Sequence, residues 1–185
     1  MTQDELIDQV LLDIPEAPRA TARDQIKRMA REFCQEADAW IHRGYVVVAA
    51  RSKYPQLIVP EDAEPLRIRS LKAGDRVLRL GVDYVQPDPG RIEMLRKPDR
   101  DNLTGELACR PTTTDPLAEA LLNNWADPIG DGARWRLLMM PQPWKDPGMA
   151  AYYHTQYLSG IHDAKQAPSH GHARGGARVR PRPFL

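Results

Sequence analysis

The sequence predicts an α+β fold: a small helical bundle with an inserted antiparallel β domain and a disordered C-terminal tail. Three observations predict it. Apolar residues recur at helical spacing in the first 44 residues and again from about Asp115 onward. Between these stretches lie short alternating or β-branched runs separated by Pro, Gly, Asp and Asn. Beyond Gln166 the chain reads APSHGHARGGARVRPRPFL, a composition that cannot bury a core. The expected limits are 1–44 for the N-terminal helices and 45–112 for the β-rich insertion. Residues 113–166 complete the bundle, and 167–185 form the basic flexible tail.

The first helix is expected from Asp4 to Leu12, stopped by Ile14-Pro15 because proline disfavours helical geometry in the residue before it. The second carries Ala22, Ile26, Met29, Ala30, Phe33, Ala37, Trp40 and Ile41 as one apolar stripe, with Pro18 near its start and Gly44 at its end. The runs YVVVAAR, PQLIVP, EPLRIRSL, DRVLRL, VDYVQ, RIEML and ELACR then read as strands of an antiparallel sheet or small sandwich. LRIRSL alternates strictly, which leaves one face wet, while PDPG from Pro87 and KPDRDN from Lys97 read as turns.

Helical patterning resumes where Asp115-Pro116 suits an N-cap and first helical position. Asp127-Pro128 interrupts that run, and a second piece follows from Ile129 to Met140. The stretch MPQPWKDP then ends one helix and restarts another. Asp146 caps the new helix, Pro147 opens it, and it extends to about Ala164. Trp125, Trp135, Trp144 and Tyr153 are the residues expected to pack these helices against each other or against a neighbouring subunit.

Composition narrows the function classes. No apolar run is long enough to span a bilayer, and acids stand at the N-terminus where a secretion signal needs basic residues. That predicts a cytoplasmic protein with no membrane partner. Cys34 and Cys109 are the only cysteines and form no CxxC pair, so buried free thiols are expected. The total charge is +1, and the tail holds four arginines and no acid; removing those four charges leaves the first 166 residues at −3. A mildly acidic body is thus joined to a basic tail.

Motifs that carry chemistry are absent from the sequence. IGDGAR lacks the Lys-Ser/Thr of a phosphate loop, DPIGDGA lacks the alternating acids of a calcium loop, and no serine sits in a GxSxG elbow. His154 and His162 are eight residues apart, too far for a paired role on one helix, and the tail's His170-Gly-His172 has no Cys or acid to complete a metal site. The glycines of IGDGAR instead suit a kink or close helix contact. No catalytic, cofactor-binding or metal-ligating residue is therefore expected, and no enzyme. Arg174, Arg178, Arg180 and Arg182 can contact phosphates or an acidic protein groove, and Phe184 and Leu185 supply apolar anchors for the second option.

The C-terminal half, DPLAEALLNNWADPIGDGARWRLLMMPQPWKDPGMAAYYHTQYLSGIHDAKQ, resembles the head-to-tail adaptor proteins of tailed bacteriophages, also called connector or head-completion proteins. The similar features are the helix with Leu117, Leu121 and Trp125, the segment Ile129 to Ala133, the LLMMPQPWKDP joint, and the GIHDA end of the last helix. LLDIPEAPRATARDQIKRMAREFCQEADAW also looks like that family's opening, and the middle third fits its variable insertion. The resemblance implies a virion protein of the neck, with about twelve copies in a closed ring beneath the portal. That ring would let packaged double-stranded DNA pass through its lumen and would offer a platform to the next tail or neck protein. It implies portal docking by the tail residues Arg174, Arg178, Arg180, Arg182, Phe184 and Leu185, and no cofactor. The alternative is a nucleic-acid-binding accessory protein acting through that same basic tail.

Overall fold

The computed structural model describes residues 1–48, 52–97 and 101–170. Arg174, Arg178, Arg180, Arg182, Phe184, Leu185 and His172 lie outside the described residues, as do residues 98–100 of the expected KPDRDN turn. The fold is α+β, with four helices and antiparallel sheets among the described residues.

Helix α1 (Gln3–Asp13) opens on a capping box: Thr2 Oγ1 accepts the Glu5 N–H, and Glu5 Oε2 accepts the Thr2 N–H at 2.8 Å. It buries Leu6, Ile7 and Val10 and ends at Ile14, one residue before Pro15. Helix α2 (Arg19–Ala37) buries Ala22, Ile26, Met29, Ala30, Phe33, Cys34 and Ala37, all at helical spacing. Each large apolar side chain buried in this way contributes about 1.5–3 kcal/mol relative to exposure.

The second helix is shorter than its apolar stripe. Asp38 takes the left-handed conformation, φ 50°, and its N–H bonds the Cys34 carbonyl, which closes α2 at Ala37. Trp40 and Ile41 open strand β1 (Trp40–Val48) instead, so the sheet begins five residues before Tyr45. Their helical spacing was coincidental. Trp40 is half-buried between the helical core and the sheet core, an inward residue on a strand where the spacing predicts a helix.

The remaining strands are β2 (Gln56–Leu57), β3 (Ala63–Ala73), β4 (Arg76–Val77), β5 (Tyr84–Asp88), β6 (Arg91–Met94) and β7 (Asn102–Pro111). Five form an antiparallel sheet in the order β2-β1-β7-β3-β4, and β5 pairs with β6 as a separate hairpin across Pro89-Gly90. Tyr84, Ile92 and Met94 of the hairpin pack on Val46, Val47, Leu71, Leu103 and Leu107 of the sheet, giving the insertion its own core. On β3, exposed Arg67 and Arg69 alternate with half-buried Leu66 and Ile68, and a register shift between Ile68 and Ser70 then turns Leu71 into the core and Lys72 outward.

Helix α3 (Glu119–Met139) starts four residues after Asp115. Asp115 is not its cap; its carboxylate accepts the Thr112 and Thr114 hydroxyls in a turn that leads off β7. The expected break near Pro128 is a kink within one helix, with Trp125 at φ −134°, ψ 21°. Proline supplies no N–H to the carbonyl four residues earlier and crowds that turn, which accounts for distortion just upstream of it. Helix α4 (Pro147–His170) runs past Ala164, since Lys165, Gln166 and Ala167 favour helix.

The N- and C-terminal helices pack together in one core that includes Ile26, Phe33, Leu121, Ile129, Leu137 and Tyr157. Gly132 permits this: a Cβ there would lie 2.9 Å from both Met29 and Tyr157. Bundle and sheet are clamped by arginines. Arg31 bonds Glu64 through both carboxylate oxygens at 3.0 Å and also donates to the Pro111 carbonyl, while Arg67 donates to Asp38 and to the Gln35 carbonyl at 2.8 Å each.

Candidate functional site

The corner between α3 and α4 is built by local hydrogen bonds. The chain leaves α3 in extended geometry at Met140, runs through Pro141 and Pro143, and is pinned where the Trp144 indole N–H donates to the Leu137 carbonyl at 3.1 Å. The Asp146 N–H then bonds the Leu138 carbonyl at 3.0 Å. Asp146 Oδ1 accepts the N–H groups of Gly148 and Met149, both at 3.0 Å, so Asp146 caps α4 and Pro147 occupies its first position.

The four aromatic residues expected at this joint separate into three places. Trp144 and Tyr153 line a groove of about 350 Å³ at the corner, together with Ile14, Glu16, Asp146 and Met149. Trp135 faces α4 one turn earlier and stacks on His154, with ring centroids 4.1 Å apart at 27°. Trp125 sits at the kink, roughly 15 Å before Trp135 along the helix axis, with its ring centroid 5.6 Å from that of Phe33. Trp125 belongs to the core of the sheet-proximal end and not to the corner.

Beside the groove, Arg134 ties α1 to α3. It bonds Asp13 at 2.6 Å and Asp131 at 3.2 Å, and its guanidinium lies 5.5 Å from the Tyr153 ring centroid. Burial pushes the Asp131 carboxyl above its ordinary range, and Arg134 opposes that shift. Glu16 and Asp146 carry the remaining acidic charge of the groove. Glu16 could not be assigned there from sequence, because the α1–α2 turn and the α3–α4 corner are about 130 positions apart.

A second surface lies on the insertion, at the end of β3 away from the helices. Val77, Leu80, Val82 and Leu95 are 58%, 66%, 44% and 49% exposed there, which is unusual for four large apolar groups so close in one tip. Asp83 holds this tip rigid. It is 4% exposed, accepts the Arg79 N–H at 2.9 Å and the Arg76 guanidinium at 2.8 Å, and its backbone carbonyl takes the N–H groups of Leu95 and Arg96. The Arg79 N–H bond, followed by the fields of Arg76 and Arg96, holds the Asp83 carboxyl below its usual range. Arg76, Arg79 and Arg96 make the tip basic as well as apolar. The sequence signal was present in DRVLRLGVDY, where Leu80 and Val82 flank Gly81 in a turn rather than within a strand.

A cleft of about 540 Å³ between α2 and β7 is lined by Lys27, Arg28, Arg31, Gln35 and Arg110. It is a clamped seam. Arg31 and Arg110 both bind Glu64, whose carboxyl the Arg31 hydrogen bonds hold below the ordinary range, and Lys27 donates to the Thr114 carbonyl at 3.0 Å. Among the described residues, no three His, Cys, Asp or Glu side chains converge as metal ligands. Burial pushes the Cys34 thiol up to about 12 and the Cys109 thiol to about 11, which keeps both protonated and unreactive near neutral pH. Among the described residues, no helix is long and apolar enough to cross a membrane. No model of a known protein family matches the chain, and no curated protein matches it.

Proposed function

We propose that this chain is a structural adaptor of the phage neck: copies form a ring below the portal, extend the DNA channel and present a platform for tail attachment. The observation that carries this reading is the placement of two unlike surfaces at opposite ends of the fold. The groove lies at the end of α2 remote from the sheet, and the apolar tip lies at the end of β3 remote from the helices. A 19-residue helix and an 11-residue strand, roughly 28 Å and 36 Å long, stand between them. Arginine clamps join helix and strand, so one surface is held at a fixed distance from the other, as a spacer between two assemblies requires. The resemblance of the joint and its flanking helices to head-to-tail adaptors supplies the identity of those assemblies.

The test is assembly with the portal protein of the same phage. Negative-stain images should show added ring density on the portal, and the decorated portals should then bind tails or the next neck protein. An adaptor that joins neither portal nor tail components sinks the proposal. The alternative, a nucleic-acid accessory protein, requires strong, salt-sensitive DNA affinity that disappears when residues 171–185 are removed. That cut falls beyond the described part of α4, so it leaves the bundle intact.

A further inference from the structure

We infer that the groove at the α3–α4 corner receives the segment Arg178 to Leu185 of a second copy, Phe184 and Leu185 lying beside Trp144 and Met149, and Arg180 and Arg182 facing Glu16 and Asp146. The chemistry of groove and segment is complementary. The groove offers an aromatic and thioether floor with acids at its rim, and Asp13 is already paired with Arg134. Glu16 is exposed on the α1–α2 turn, and only one oxygen of Asp146 is engaged in capping. The segment reads RVRPRPFL, three guanidinium groups ahead of one aromatic and one aliphatic side chain. Its two prolines restrict the free chain and lower the entropy lost on docking.

Chain reach decides between the segment's own groove and a neighbour's. The described part of helix α4 reaches His170, and Asp146 stands at its other end, 24 positions back and roughly 36 Å along the axis. From His170 to Arg182 the chain spans at most about 40–43 Å when fully extended. Placing Arg182 at Asp146 of the same copy therefore demands a chain with almost no slack, drawn straight along α4. A neighbour whose groove lies beside the last turns of α4 needs no such stretch, and a ring would hold that groove at high effective concentration. The inference rests on the ring reading for the presence of that neighbour.

Cysteine pairing on the full chain tests it. One preparation carries Met149→Cys and a second, mass-tagged preparation carries Leu185→Cys; the native Cys34 and Cys109 are buried and do not compete. The two are mixed, alone and on portal rings, and oxidised. The expected result is a covalent heterodimer about fivefold more abundant than with a control pair, Leu185→Cys and Val77→Cys. Glu16→Lys should lower the yield, and Arg180→Glu with Arg182→Glu in the partner should restore it. A yield no greater than the control overturns the inference, as does a doubly substituted chain that links only to itself. Loss of the cross-link on portal rings to which the adaptor stays bound also overturns it, since the segment is then on the portal. Ring density on portals without the cross-link leaves the adaptor reading standing and removes this one. A cross-link from a protein that never binds portal does the reverse.

Discussion

Gly160 of α4 faces Pro128 of α3 so closely that a Cβ at position 160 would overlap the proline ring. The kink in α3 and the glycine in α4 are thus two halves of one contact: the proline bends its helix, and the glycine lets the next helix approach the bend. Gly160→Ala should destabilise the fold by about 1–3 kcal/mol despite the better helix propensity of alanine, because the added methyl has nowhere to go. Ser159→Ala, on the exposed neighbouring position, should stay within about 0.5 kcal/mol. Urea denaturation of the pair checks this, and equal midpoints would show that α4 can shift away from Pro128 at no cost.

Trp144 closes the corner both by packing and through its indole N–H. Truncation to alanine removes a half-buried ring and leaves the Leu137 carbonyl without that donor. A loss of about 2–3 kcal/mol is expected, below the range for a fully buried tryptophan because part of the ring already meets solvent. Trp144→Phe retains an aromatic ring and loses the hydrogen bond, so it should cost about 1 kcal/mol. If the two substitutions destabilise equally, the hydrogen bond rather than the ring holds the corner.

Most of the fold was legible because its elements announce themselves locally. The stripe of α2, the period-2 alternation of LRIRSL and the Asp146-Pro147 start of α4 each follow from a few adjacent residues. Boundaries failed where one apolar residue serves either period. Trp40 and Ile41 extend the α2 stripe numerically, yet Asp38 ends the helix by a backbone choice that sequence spacing does not record. The corner was readable as a joint, since MPQPWKDP contains its own stop and start signals. The groove beside it was not, because Glu16 and Ile14 reach Trp144 only through packing of α1 against α3. Asp83 escaped notice for the same reason: its partners Arg76, Arg79 and Leu95 come together only after the strands have turned.

Asp83 makes the tip's integrity depend on pH in a definite direction. Its carboxyl is held below the ordinary aspartate value by the Arg79 N–H and the flanking arginines, so the folded state favours the charged form. The contribution is fully present above the unfolded value of about 3.9 and is lost as pH falls through the folded value. Asp83→Asn keeps the shape but removes the charge and one acceptor, so the thermal midpoint at pH 7 should drop by a few degrees. Wild type and variant should then converge as pH falls below the folded carboxyl's own, lowered value. Parallel melting curves at every pH would mean that the carboxylate is not what fixes the turn.

The exposed side chains of the tip give the sharpest separation between stability and function. Leu80 is two-thirds in solvent and Val82 a little under half, so replacing both by serine should cost no more than about 0.5–1 kcal/mol per site in urea denaturation. If the tip is a docking knob, the same change should weaken binding to whichever neck assembly meets the sheet end by at least about tenfold, the effect of removing a pre-ordered apolar anchor. Asp83→Asn should weaken that binding too, although it touches no exposed group, because the anchor then has to be ordered on docking. Co-sedimentation with purified portal and with tails, each run separately, also identifies the end of the molecule that faces each one. Serine variants that co-sediment with both as wild type does would leave the tip as an exposed turn without a partner, and would move tail attachment to the groove end of the bundle.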